Sequence, residues 1–211
     1  MRRSLILVTA LLSVCRVSFG SEVDDHLLSG SKFLQDKKMS EAIREFETAV
    51  NLDPENARAN LLLGLALEGQ NDLEKAVAYL EKSASSQPSY SAYYNLGLSY
   101  ASLSQLDKSM TSFEKAAEIN TKSYEAFHQL GKVRAASLQF EKAIEAYRQA
   151  ASLNAKFPDA YQGMGSAYYW SGDLTLALQQ VDELNKLGFE SHARQLERWI
   201  KDKEAKKKKK A

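Results

Sequence analysis

The side chains able to do chemistry are few in this chain of 211 residues, and they do not assemble. Its three histidines, His26, His128 and His192, lie far apart, with no HExxH and no histidine pair at helical spacing. A metal needs several such ligands converging, so no metal site is expected. There is no GxSxG, no GxxxxGK followed by Ser or Thr, and no GxGxxG after a strand. Gly163-Met164-Gly165 falls inside a helical pattern and reads as packing. No nucleophile, base and orienting group can be assembled by role, which argues against an enzyme and against a cofactor.

What remains is a surface that binds. The formal net charge is +1, but residues 1–20 hold three arginines and no acid, and 206–210 are five lysines. Without both, 20 basic residues face 27 acidic ones, so the body 21–205 carries about −7. An acidic body excludes nucleic acid as its main partner.

Residues 1–20 read as a signal peptide: Arg2 and Arg3, the apolar run Leu5 to Val14, then Ser18-Phe19-Gly20, with cleavage after Gly20. The run is ten residues, about half of what a bilayer-spanning helix requires. Export follows, to the periplasm or the medium if the source is bacterial. The one cysteine, Cys15, ends Leu12-Ser13-Val14-Cys15, a faint likeness to a lipoprotein processing site with Val14 where a small residue is expected. Lipidation there would make the chain an envelope lipoprotein.

The elements that would carry a binding surface show in a beat of glycines. Gly30, Gly64, Gly97, Gly131 and Gly165 are spaced 34, 33, 34 and 34 residues apart. A period of this size marks stacked supersecondary units, each too small to bury its own apolar face. The repeats run 23–56, 57–89, 90–123, 124–157 and 158–189. Offsets −4, −1, 0 and +3 from each glycine fall on one side of a first helix. Met39, Leu73, Leu106, Phe140 and Leu174 open a second helix, whose stripe continues through Ala42, Ala76, Ser109, Ala143 and Ala177 to Phe46, Leu80, Phe113, Tyr147 and Val181. Asp72 and Asp173 are placed to cap it. Ala193, Leu196, Trp199 and Ile200 form a last stripe, a cap helix over 190–205. Residues 206–211 read as a disordered basic tail, or as one attracted to an anionic membrane against the opposing charge of the body.

These columns closely resemble the tetratricopeptide repeat, with its leucine-glycine pair, following tyrosine and later alanine, aromatic and proline signals, the last present as Pro54 and Pro88. The resemblance covers about residues 23–189. It implies an all-α, right-handed superhelix of five helix-turn-helix repeats plus a C-terminal cap helix. It also implies a partner, another protein or peptide, held in a groove lined by the first helices.

Two columns of those helices are candidates for the groove. Offset −3 reads Leu27, Leu61, Tyr94, His128 and Gln162, and offset +1 reads Ser31, Leu65, Leu98, Lys132 and Ser166. The expected binding residues are Leu27, Leu61, Leu65, Tyr94, Leu98, His128 and Lys132. The stripe is apolar in the second and third repeats, and it suits either a ligand or a contact with a neighbouring helix or a second copy. Arg58 and Lys132 lie in different repeats, so no cationic cluster suits a terminal carboxylate. Trp170, at offset +5, suits either the groove or the cap helix.

Overall fold

The computed structural model describes residues 22–209. The expected leader, with its cleavage after Gly20 or lipidation at Cys15, lies outside the described residues, as do Lys210 and Ala211. Every regular element among the described residues is a helix. Two compact units meet in sequence between Leu103 and Ser104. The first unit holds α1 (22–35), α2 (Met39–Leu52), α3 (Ala57–Gly69), α4 (Leu73–Ser86) and α5 (Tyr90–Ser102). The second holds α6 (Leu106–Ile119), α7 (Tyr124–Ala136), α8 (Phe140–Leu153), α9 (Pro158–Ser171), α10 (Leu174–Lys186) and α11 (Glu190–Lys208). Within each unit a helix packs mainly on its neighbours in sequence, the arrangement of a solenoid.

The turn inside each repeat is built alike. Seven residues after the repeat glycine stand Lys37, Asn71, Ser104, Leu138 and Gly172, all left-handed, with φ between 59° and 96°. This reverses the chain and lets later amides satisfy helix-end carbonyls: Lys38 N–H donates to Phe33 O at 2.8 Å, and Asp72 to Leu67, Gln139 to Arg134 and Asp173 to Tyr168 at 2.9 Å. Glycine fits this conformation best, yet only Gly172 supplies it.

Helix starts follow a second rule. Asn56, Ser89 and Ser123 cap α3, α5 and α7, each side chain accepting from the amide three residues on. Pro158 starts α9 instead, with φ already set for a helix. Of the two aspartates expected as caps, Asp173 accepts from the Leu176 amide at 2.9 Å. Asp72 does not cap; its carboxylate is drawn to Lys75 Nζ at 2.7 Å, and its cap position makes no side-chain bond to the helix.

The glycines seat the second helix against the first. A Cβ at Gly30 would lie 2.4 Å from the Phe46 ring, one at Gly64 2.7 Å from Leu80, and one at Gly131 2.7 Å from Tyr147. Gly163 faces the same Tyr147 ring at 2.5 Å and Gly165 faces Leu196, which makes the Gly163-Met164-Gly165 segment packing. Phe46 is fully buried, and burying such a ring is worth about 1.5–3 kcal/mol.

The ends of the array differ for one physical reason. Ala59, Leu63 and Ala66 of α3 are buried, as are Ala160, Met164 and Ala167 of α9, whereas the same columns of α1 hold Asp25, Ser29 and Lys32, all exposed. At the other end, Ala193, Leu196 and Ile200 of α11 close a cluster with Ala177, Val181 and Leu184. That helix runs on through Lys208, so the tail expected to be disordered from Lys206 is helical at Lys206, Lys207 and Lys208. Cations in a last turn face the negative end of the helix dipole, which favours the extension.

Candidate functional site

The two candidate columns prove to have different neighbours. In the first unit Leu27 is only 1% exposed and belongs to the cluster that holds Ala59, Leu63 and Ala66 of α3. Leu27 is therefore core, not groove: offset −3 of α1 faces the next repeat. Leu61 likewise packs on the cluster of Leu80, Ala84, Ala92 and Leu96. Tyr94 is half-buried and stacks on Tyr90, with ring centroids 5.3 Å apart and planes 24° apart.

Offset +1 of the same unit belongs to none of these clusters. Leu65 on α3 and Leu98 on α5 are both half-buried, and Ser31 returns its hydroxyl to Leu27 O at 2.7 Å. Beside them Glu68 of α3 accepts from the Ser99 hydroxyl of α5 at 3.1 Å, tying the two first helices together. Burial raises the Glu68 pKa, and the Ser99 bond opposes it.

In the second unit offset −3 again turns into a seam. His128 sits 4.9 Å from the Phe157 ring, edge to face at 88°, and 5.7 Å from Tyr147. Burial lowers its pKa, the Lys132 charge lowers it further and Asp159 acts against both. Gln162 donates to His192 O at 3.1 Å and to Gln195 Oε1 at 3.3 Å, both on α11. At offset +1, Lys132 is exposed and Ser166 half-exposed.

One concavity escaped the reading by columns. Ala136, Leu138, Phe140, Tyr147, Gly163 and Trp170 are among the residues that enclose a cavity of about 360 Å³. Leu138 is 74% exposed and takes the left-handed turn position with φ 60°, an unusual combination for leucine. The only sequence signal was a leucine in a turn column otherwise held by Lys, Asn, Ser and Gly. Trp170, expected either in the groove or on the cap helix, lines this cavity and lies edge to face with Trp199 of α11 at 6.0 Å. Among the described residues no three His, Cys, Asp or Glu side chains group as metal ligands. No helix among the described residues is long and apolar enough to cross a membrane.

Comparison with known proteins agrees with this architecture. Tetratricopeptide repeat models match residues 33–98 and 90–123, and a TPR repeat model matches 139–172. A crystal structure of MamA superposes with a TM-score of 0.77 and 26% identity, over 80% of this chain and 92% of that one. The crystal structure of YrrB, described as a TPR protein with an unusual peptide-binding site, superposes with a TM-score of 0.75 over 85% of this chain and 97% of that one. At 17% identity that likeness shows the fold alone. A 93-residue stretch is 33% identical to the cell division cycle protein 27 homolog of Caenorhabditis elegans, covering 44% of this chain and 12% of that protein. The chain thus spans a small fraction of that relative's length.

Proposed function

Because the chain is built of tetratricopeptide repeats, we propose that it is a non-catalytic scaffold that holds an extended or helical segment of another protein on the open side of its first helices. The observation that carries this reading is the split between columns. Leu27 and Leu61 at offset −3 pack on core clusters, while Leu65 and Leu98 at offset +1 lie half-buried on adjacent first helices and belong to none of those clusters. Solvent alone gives no reason for leucine at both positions, and partly exposed apolar side chains on neighbouring helices suit a contact surface. Leu61 and Tyr94 would form the wall of that surface.

Export belongs to the same proposal. It rests on the charged, apolar and small-residue order of 1–20, and it places the scaffold in the periplasm or outside the cell if the source is bacterial. Sequencing the mature N-terminus tests it: Ser21 supports a soluble exported protein, a lipidated Cys15 an envelope lipoprotein, and an intact Met1 overturns export.

The binding surface is tested by a photoreactive residue at Leu98 in the native compartment, with and without Leu65→Glu. Capture of a discrete partner that is lost in the Leu65→Glu background, with an unchanged melting temperature, is the expected result. Equal capture in both backgrounds would overturn the assignment. A second reading, a structural subunit that self-associates, is favoured by Leu28, 72% exposed on α1. Mass measurement separates the two. A monomer at micromolar concentration supports the partner-binding surface, and a concentration-independent oligomer lost on Leu28→Glu supports self-association.

A further inference from the structure

Both tryptophans of the chain stand in one place, around the cation of a lysine. Trp170 closes α9, and Trp199 lies on α11. Their centroids are 6.0 Å apart with planes at 72°. Tyr169 completes a corner, 5.5 Å from Trp170 at 79° and 5.1 Å from Trp199 at 73°. Lys203, one helical turn beyond Trp199, places Nζ 5.0 Å from the Trp170 centroid and 5.5 Å from that of Trp199. The Tyr169 hydroxyl donates to Glu204 Oε1 at 3.0 Å, which adds negative charge beside the rings. Trp170 is 51% exposed, so the corner opens to solvent.

Packing accounts for part of this. Tyr169 and Trp199 lie against the cluster of Ala177, Leu196 and Ile200. It does not account for a half-exposed indole set nearly perpendicular to both other rings with an ammonium between. The Trp170 and Trp199 rings, steeply inclined to each other, both lie within cation–π range of one ammonium, the arrangement that attracts cations and quaternary ammonium groups most of all.

We propose that Trp170 and Trp199, backed by Tyr169, form a binding site for a quaternary ammonium group, with Lys203 as its internal occupant. A primary ammonium is a compact, strongly hydrated charge that gives up water reluctantly. A trimethylammonium group spreads its charge over methyls and loses less hydration on entering an aromatic corner. The ligand displaces Lys203, whose flexible stem swings to water. This site belongs to the second unit and the surface around Leu65 and Leu98 to the first, and neither proposal depends on the other.

With no tryptophan elsewhere, intrinsic emission of the full chain reports on this site directly. Titrating choline should change the emission saturably, with affinity about three- to fivefold tighter in Lys203→Ala, where nothing has to be displaced. Trp170→Ala, still read through Trp199, should weaken binding about tenfold. The control is choline's neutral carbon analogue, with tert-butyl in place of trimethylammonium. The proposal is overturned by an equal response to that analogue, by no saturable change in Lys203→Ala, or by unaltered affinity in Trp170→Ala. Circular dichroism of each variant confirms that the helices persist.

Discussion

The first unit presents leucines where the second presents a histidine, a lysine and a tryptophan-lined cavity. Leu61 and Leu65 correspond to His128 and Lys132, column for column. In both units offset −3 fills a seam between repeats, with Leu61 on an aliphatic cluster and His128 on Phe157. At offset +1 Leu65 is half-buried and Lys132 exposed, apolar in one unit and charged in the other. A repeat therefore sets where a side chain points, and the residue placed there sets what that position does. The seam columns are constrained by packing, and the open columns are where the units can diverge.

The largest effect should come from the ring under each glycine. Phe46→Ala in the first unit and Tyr147→Ala in the second should each cost about 3–5 kcal/mol. Tyr147 supports more, because Gly131, Gly163 and His128 all lie against it. Because both tryptophans lie in the second unit, their emission follows that unit while circular dichroism follows the whole chain. Urea unfolding of Phe46→Ala should shift the dichroism more than the emission; coincident shifts would show that the two units unfold as one.

Overfilling the same seat should cost less. Gly131→Leu puts side-chain atoms where a Cβ alone meets Tyr147 at 2.7 Å, and a loss of about 1–3 kcal/mol is expected. A melting temperature equal to that of the parent would refute the glycine-to-ring pairing. In the opposite direction, Leu138→Gly relieves a left-handed leucine and should stabilise the second unit by about 1 kcal/mol. If Leu138 also lines a working cavity, ligand capture there should fall as stability rises.

The smallest effect depends on pH. His128 has a pKa below that of an unfolded histidine, so the unfolded chain binds the extra proton first. Stability from neutral His128 is complete above the unfolded value of about 6.5 and declines as pH falls below it. His128→Phe should flatten that decline in melts recorded by tryptophan emission. An unchanged pH profile would mean that the ring is not held neutral in its seam, and the likeness to Leu61 would fail.

The period was legible from residue types alone. Apolar columns recurring at helical spacing name the helices, and small residues at fixed offsets name the close crossings, because both follow from local geometry. The candidate site was legible only by half. Leu27 shares its column with Leu61 and looks the same in one dimension, yet it is sealed in the core while Leu61 is half-exposed. The extent of burial depends on how the following helices close over a side chain, which no single repeat encodes.

The sequence by itself determined the number of repeats, their register, the paired helices and the need for a closing helix, since each is a periodic property of residue size and polarity. Tertiary structure alone decided that Leu27 is sealed in the core while Leu61, in the same column, is only half-buried. It also brought Trp170 to Trp199, 29 positions apart, and set Lys203 between them. Column patterns carry direction along a helix, whereas a site needs distances between helices, and those exist only once the repeats have packed.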